Sequence, residues 1–208
     1  MDYTLYAITD RQWLKDNMTL AMAVEEAIKG GATIIQLREK TLKGEALRKE
    51  ALEVKKVCNR YNIPFIINDD VMLAHDIDAD GVHVGQNDLD IIEARKVLSS
   101  DKIVGVTAKT IEQAQYAEAH GATYLGSGAV FGSSTKKDAI SMNMETFNSI
   151  VASVNIPVVA IGGITKDNVP KLKGSLMSGI AVVSAVFAEE DIEEGTRKLK
   201  QIVVNTMQ

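Results

Sequence analysis

The stretch Gly30-Gly31-Ala32-Thr33-Ile34-Ile35-Gln36-Leu37-Arg38-Glu39-Lys40 contains a whole helix-to-strand transition and ends by breaking a rule. Its glycines suit the end of a helix, because glycine accepts the left-handed conformation that stops one. Thr33-Ile34-Ile35 is apolar and β-branched and reads as a buried strand. Side chains alternate along a strand, so Gln36, Arg38 and Lys40 share one face while Leu37 and Glu39 share the other. Two cations and an amide at the end of a buried strand are costly unless an anion meets them. A phosphate or diphosphate is the simplest such partner, since arginine offers a planar fork and lysine a point charge. Taken alone, the stretch fits a solvated surface loop equally well.

Outward from this unit the pattern repeats. Asp78-Ala79-Asp80-Gly81 and Gly121-Ala122-Thr123-Tyr124 also close a helix before a strand. Strands are predicted at Leu5–Ile8, Thr33–Leu37, Phe65–Asn68, Gly81–Val84, Ile103–Val106, Tyr124–Gly128, Val158–Ile161 and Ile180–Ser184. Helical spacing falls between them at Leu20–Lys29, Glu45–Tyr61, Val71–Ile77, Ile91–Leu98, Ile111–His120, Met144–Val154 and Asn168–Lys173, with a last helix at Ile192–Asn205. This alternation implies a parallel sheet with helical crossovers. Several strands are apolar throughout, as where both faces are covered. A single-domain α/β chain over 1–208, folded as a (β/α)8 TIM barrel, fits the count better than an open doubly wound sheet.

Composition narrows the function. Hydrophobic content of 46% and charged content of 25% are those of an ordinary globular protein. The net charge of −5 argues against a nucleic-acid surface, so phosphate chemistry must rest on local basic groups. A single cysteine, Cys58, cannot form an internal disulfide, which suits a reducing cytoplasm. Asp2 and Asp10 bracket only a short apolar run, unlike a signal peptide, and no apolar stretch approaches the roughly 20 residues that span a bilayer. A cytoplasmic enzyme without a membrane partner is expected, with a homo-oligomer left open.

Barrel enzymes work at the carboxyl ends of their strands. There the chain places Gln36, Arg38 and Lys40, then Asn68-Asp69-Asp70, Gly85-Gln86-Asn87-Asp88, Thr107-Ala108-Lys109-Thr110, Gly132-Ser133-Ser134-Thr135-Lys136-Lys137, Gly162-Gly163 and Val183-Ser184. Asp69 and Asp88 close neighbouring strands, about 5 Å apart in a sheet. Two such carboxylates can share Mg2+, which completes its shell with water and substrate phosphate. Aspartates here could equally cap the following helices; capping is assigned to Asp70, metal binding to Asp69 and Asp88, and a surface role to Asp90. Gly162-Gly163 and Ser184 occupy the place where many barrels hold a phosphate. His75 and His120 read as structural. His83 alternates with glycines and points to a buried, hydrogen-bonded ring more than to direct catalysis. Trp13 either covers a ligand or packs.

In order along the strand ends, Gln36–Lys40, Ile67-Asn68-Asp69-Asp70, Gly81-Val82-His83-Val84-Gly85-Gln86-Asn87-Asp88, Ser134-Thr135-Lys136-Lys137-Asp138 and Ala160-Ile161-Gly162-Gly163-Ile164 resemble the thiamine phosphate synthase family, nearly end to end. The resemblance implies that Gln36, Leu37, Arg38, Glu39, Lys40 and Asn68 bind a pyrimidine diphosphate and that Asp69 and Asp88 bind Mg2+. It implies a thiazole phosphate pocket from Ser133, Ser134, Thr135, Gly163, Val183 and Ser184. Thr107, near the pyrimidine, stands where the family usually has serine, and Lys136 reaches the diphosphate; with Arg38 these are the catalytic residues implied. Gly132-Ser133 also departs from the family's usual Pro-Thr, a change that bears on loop rigidity and rate.

The implied reaction loses pyrophosphate from the pyrimidine methylene before the thiazole nitrogen attacks it. Such a step needs leaving-group charge neutralised and water excluded. Ser133–Lys136 is expected to act as part of a lid. Two rival readings are a thiazole tautomerase of the same superfamily and a non-catalytic phosphate-ligand barrel. The first usually carries a histidine in the turn that here reads Gly126-Ser127-Gly128-Ala129-Val130-Phe131. The second needs no joint presence of Asp69, Asp88 and Lys136.

Overall fold

Eight short parallel strands close on themselves in chain order, each hydrogen-bonded to the next and the last to the first. They are β1 Leu5–Ile8, β2 Ile34–Leu37, β3 Phe65–Asn68, β4 Gly81–Val84, β5 Ile103–Ala108, β6 Tyr124–Gly128, β7 Val158–Ile161 and β8 Gly179–Val182. This computed structural model describes residues 1–132 and 141–208. Around the barrel lie α1 Leu20–Lys29, α2 Gly44–Arg60, α3 Val71–Asp76, α4 Ile91–Val97, α5 Ile111–Ala119, α6 Met144–Ala152, a one-turn α7 Ser184–Phe187 and the long α8 Ile192–Met207.

Local chemistry explains where helices start. Thr19, Asp70, Asp90, Thr110, Asn143 and Asp191 each accept a hydrogen bond from a backbone N–H of the first helical turn. Such caps satisfy donors that the helix itself leaves unpaired. Asp70 therefore caps α3 as expected. Asp90 does more than sit on the surface, since its carboxylate caps α4 and accepts from the Tyr116 hydroxyl.

Two elements differ from the sequence pattern. The helical run expected at Asn168–Lys173 is a 3-10 turn over Val169–Leu172: Pro170 sits harmlessly in its first turn, and the chain leaves helical geometry at Lys173, before Gly174 with φ 85°. The last strand stops at Val182, and Val183-Ser184 turns into α7. Alternation along a four-residue strand carries no signal for that one-turn helix.

Alternation divides the core into two layers. Ile35, Leu37, Phe65, Ile67, Val82, Val104 and Leu125 pack outward against the helices. Inside the barrel, Tyr6, Ile8, Ile34, Ile66, Tyr124, Val159 and Ala181 form a second cluster, closed beneath by Tyr3. Gly105 makes room for this inner layer: a Cβ there would lie 2.1 Å from Cζ of Tyr124. No helix among the described residues is long and apolar enough to cross a membrane.

Candidate active site

The carboxyl mouth of the barrel is built first from β1 and β2. Buried Thr9 accepts the Arg38 N–H at 3.0 Å and returns its hydroxyl to the Arg38 carbonyl at 3.3 Å. This double clasp fixes the backbone where the strand ends. Arg38 then reaches Asp10, Nη1 to Oδ2 at 3.1 Å, with both side chains largely buried. Its Nε is buried and has no hydrogen-bond partner among the described residues. A buried donor left unmet costs on the order of 1–3 kcal/mol, so this atom is available to a partner that the described residues do not supply.

Glu39 has a different use. Its carboxylate accepts from Arg11 at 2.7 Å and from the N–H groups of Thr41 and Leu42, while Arg11 also holds Glu50. Burial opposes its charge, but the Arg11 guanidinium and those two amides outweigh it and hold the carboxyl below its usual range. Leu37 is buried in the outer core. Both side chains thus turn away from the mouth, as the alternation within Gln36–Lys40 requires, and only their backbone borders it. A cleft of about 220 Å³ opens between Asp10, Arg38, Lys40 and Thr41.

At the next strand end Asn68 lies in register with His83. Asp69 adopts a left-handed backbone, φ 66°, while its N–H still bonds the His83 carbonyl at 2.8 Å. Few residues other than glycine tolerate that conformation, and aspartate is among them. The Asp69 carboxylate meets Lys40 at 3.1 Å. Asp88 folds back on its own turn, its Oδ2 accepting the Gly85 N–H at 2.8 Å. Both candidate metal ligands thus offer hard carboxylate oxygens at adjacent strand ends. Among the described residues there is no group of three or more His, Cys, Asp or Glu placed to hold a metal. A site of this make-up suits a cation that takes its remaining ligands from water and phosphate.

Thr107 is the penultimate residue of β5, on the inner face, and its carbonyl accepts Gln86 Nε2 at 2.6 Å, tying the β4 turn to β5. On the far side, Gly162 and Gly163 have φ of 98° and 64°, and a Cβ on Gly163 would lie 2.5 Å from the Phe131 carbonyl. Val183 packs against the inner cluster, and Ser184 begins α7. Arg38, Lys40, Asn68, Asp69, Asp88, Thr107, Gly163, Val183 and Ser184 therefore all stand at one end of the barrel. Ser133, Ser134, Thr135 and Lys136 lie outside the described residues.

Below the mouth runs a polar chain that strand patterning did not single out. Gln36 Nε2 meets the Tyr6 hydroxyl at 2.7 Å, Tyr6 meets Tyr124 at 2.7 Å, Tyr124 meets His83 Nδ1 at 2.9 Å, and His83 Nε2 meets Thr107 Oγ1 at 2.9 Å. Burial pushes the Tyr6 and Tyr124 phenols far up, so both keep their protons. His83 is thus hydrogen-bonded inside the barrel, as its alternation with glycines predicts. The two tyrosines had one signal in the sequence: each sits at an inward position, and Tyr124 is matched by the glycine at 105.

The profile of the family described as thiamine monophosphate synthase matches residues 5–186. The thiamine-phosphate synthase of Ruminiclostridium cellulolyticum is 48% identical over 205 residues, 99% of this chain and 97% of the relative. That of Clostridium botulinum is 46% identical over 201 residues, 97% of this chain and 94% of its own. Among solved structures, thiamine phosphate pyrophosphorylase from Pyrococcus furiosus superposes with a TM-score of 0.89 at 38% identity, covering 99% of this chain and 97% of its own. The chain belongs to the thiamine monophosphate synthase family and is a transferase acting in thiamine phosphate formation.

Proposed function

As a member of that family, we infer that the chain joins 4-amino-2-methyl-5-(hydroxymethyl)pyrimidine diphosphate to a (carboxy)thiazole ethyl phosphate in the cytoplasm, giving thiamine phosphate and pyrophosphate, with carbon dioxide lost as well where the thiazole is carboxylated. The observation that carries this reading is the unmet, buried Nε of Arg38 beside the Lys40–Asp69 pair, at a mouth that already holds Asp88. A diphosphate oxygen satisfies that donor with a charge-assisted bond.

In the reaction, the bond between the pyrimidine methylene and the diphosphate oxygen breaks, and its electron pair leaves with pyrophosphate. The thiazole nitrogen then donates its lone pair to the methylene. Arg38 and Lys40 lower the cost of the departing charge, joined by Lys136 from the segment after β6. Gln36, Asn68 and Thr107 orient the pyrimidine, with Leu37 and Glu39 contributing backbone. Gly163, Val183 and Ser184, with Ser133, Ser134 and Thr135, hold the thiazole phosphate. Asp69 and Asp88 would hold Mg2+, which would supply neutralisation of diphosphate charge. The left-handed backbone of Asp69 supports this role, since such conformations persist where surroundings enforce them and collect at functional sites.

Incubation with both halves and Mg2+ should yield equal amounts of pyrophosphate and thiamine phosphate, and neither when any component is omitted. Conversion of the thiazole phosphate alone would make the chain a tautomerase. Binding of both ligands with no product would make it a phosphate-ligand barrel.

A further inference from the structure

We propose that the chain of hydrogen bonds Gln36–Tyr6–Tyr124–His83–Thr107 runs in one direction and makes the Thr107 hydroxyl an obligate donor into the mouth, with Tyr6, Tyr124 and His83 as positioning residues. The substrate atom that takes the Thr107 proton must then offer a lone pair. The inference rests on the functional reading above for the identity of that substrate alone.

The direction follows from counting protons. An amide nitrogen donates and does not accept, so the Tyr6 oxygen takes the proton of Gln36 Nε2. A phenol has one proton, and that of Tyr6 is left for the Tyr124 oxygen at 2.7 Å. Tyr124 in turn gives its own proton to His83 Nδ1 at 2.9 Å. An imidazole that accepts at Nδ1 and is neutral carries its proton on Nε2, which donates to Thr107 Oγ1 at 2.9 Å. The Thr107 proton is then directed away from the chain.

An imidazolium does not fit. Both its nitrogens would donate, giving the Tyr124 oxygen two incoming protons and leaving its own buried without an acceptor, which is costly. Because burial keeps both phenols protonated, neither hydroxyl can act as a pure acceptor and break the sequence. The geometry is held as well as the polarity. The Tyr124 ring lies 5.2 Å from Tyr3, 5.7 Å from Tyr6 and 5.5 Å from His83, centroid to centroid. A Cβ at Gly126 would come within 3.1 Å of His83 Cε1. Glycine at 126 thus leaves room for the ring in this orientation, in which each nitrogen has a hydrogen-bond partner.

Long-range 1H–15N spectra of the full, substrate-free chain test the direction, with the His83 signals identified against His75→Gln and His120→Gln variants. The expected pattern is a protonated Nε2 and a bare Nδ1. An Nδ1–H tautomer, which a reversed chain with the Gln36 amide turned over would produce, overturns the proposal, as does an imidazolium. Kinetics test the consequence. Thr107→Val should lower kcat/KM for the pyrimidine diphosphate about tenfold, the scale of one hydrogen bond. Tyr124→Phe should also lower it, and the double variant should fall no further than Thr107→Val alone, because Tyr124 acts through Thr107. Multiplicative losses would show a merely structural tyrosine and sink the idea. If Tyr124→Phe does not fold, Tyr6→Phe completes the same cycle. A chain that releases no pyrophosphate refutes the functional reading, while the spectra still decide the relay.

Discussion

Arg38→Lys separates a binding arginine from a merely structural one. Among the described residues Arg38 makes one ion pair, to Asp10 at 3.1 Å, and buries an Nε without a hydrogen-bond partner. Lysine keeps the charge and can keep Asp10, but it has no Nε and cannot grip a ligand while doing so. The substitution removes the bond that a diphosphate oxygen would make to Nε, about 1.5–3 kcal/mol for a hydrogen bond to a charged group. At about 1.4 kcal/mol per decade, kcat/KM for the pyrimidine diphosphate should fall between about tenfold and about 150-fold.

Stability should move little or rise. The wild type already carries the cost of an unmet buried donor, and lysine relieves it. The expected thermal midpoint lies within about 3 °C of wild type, since 1 kcal/mol moves a domain of this size by roughly 2–4 °C and only loss of the Asp10 pair would cost more. Pyrophosphate release measured against substrate concentration, paired with thermal unfolding, reads both quantities. An unchanged kcat/KM with a midpoint lowered by 5 °C or more, on the order of 2 kcal/mol, would mean that Arg38 serves only to join the β1 and β2 ends, and the reasoning from its Nε would fail.

Other outcomes follow from named contacts. Gly105→Ala drives a Cβ to 2.1 Å from the Tyr124 ring, so it should cost about 1–3 kcal/mol in urea unfolding and lower activity by displacing Tyr124 from His83. Glu39 has its folded pKa depressed below the ordinary 4.5, so its contribution to stability is present above that value and is lost as pH falls through the folded pKa. Glu39→Gln should therefore lower the thermal midpoint at pH 7 and flatten its decline below pH 4.5. Chelation of Mg2+ should abolish pyrophosphate release and leave the far-UV circular dichroism unchanged, because Lys40 and the Gly85 N–H already engage Asp69 and Asp88 without metal.

The barrel was legible because its signals are local. Stop signals such as Gly30-Gly31, an apolar run and a polar strand end each span a few residues, and all eight strands appear at or within two residues of the predicted bounds. What escaped was also local but weaker. Asn168–Lys173 has helical spacing but spans under two turns before Gly174, too few to distinguish an α-helix from the 3-10 turn that forms. Val183-Ser184 looked like more strand because β-branched and small residues suit either state. Asp90 was read as surface because exposure and capping are compatible, and sequence alone cannot tell a solvated carboxylate from one bonded to Ile92 N–H.

The mouth was legible for a different reason: a parallel barrel sends every strand's carboxyl end the same way, so any polar residue just past a strand joins the rest. That argument locates groups but cannot pair them. It puts Arg38 and Lys40 on one face without showing that each already faces an acid, Asp10 from β1 and Asp69 from β3. Nor can it find the relay, whose tyrosines are 118 positions apart in the chain and meet only because the strand stagger lifts Tyr124 over Gly105 toward His83. These pairings bear on the chemistry. In a chain of net charge −5, cations committed to acids hold their place without drawing in stray anions. A ligand must then offer more than one acid does; on the proposed reading a diphosphate reaching Arg38 Nε, with Asp69 taken up by magnesium, would meet that condition where a single phosphate competing with Asp10 and Asp69 would not.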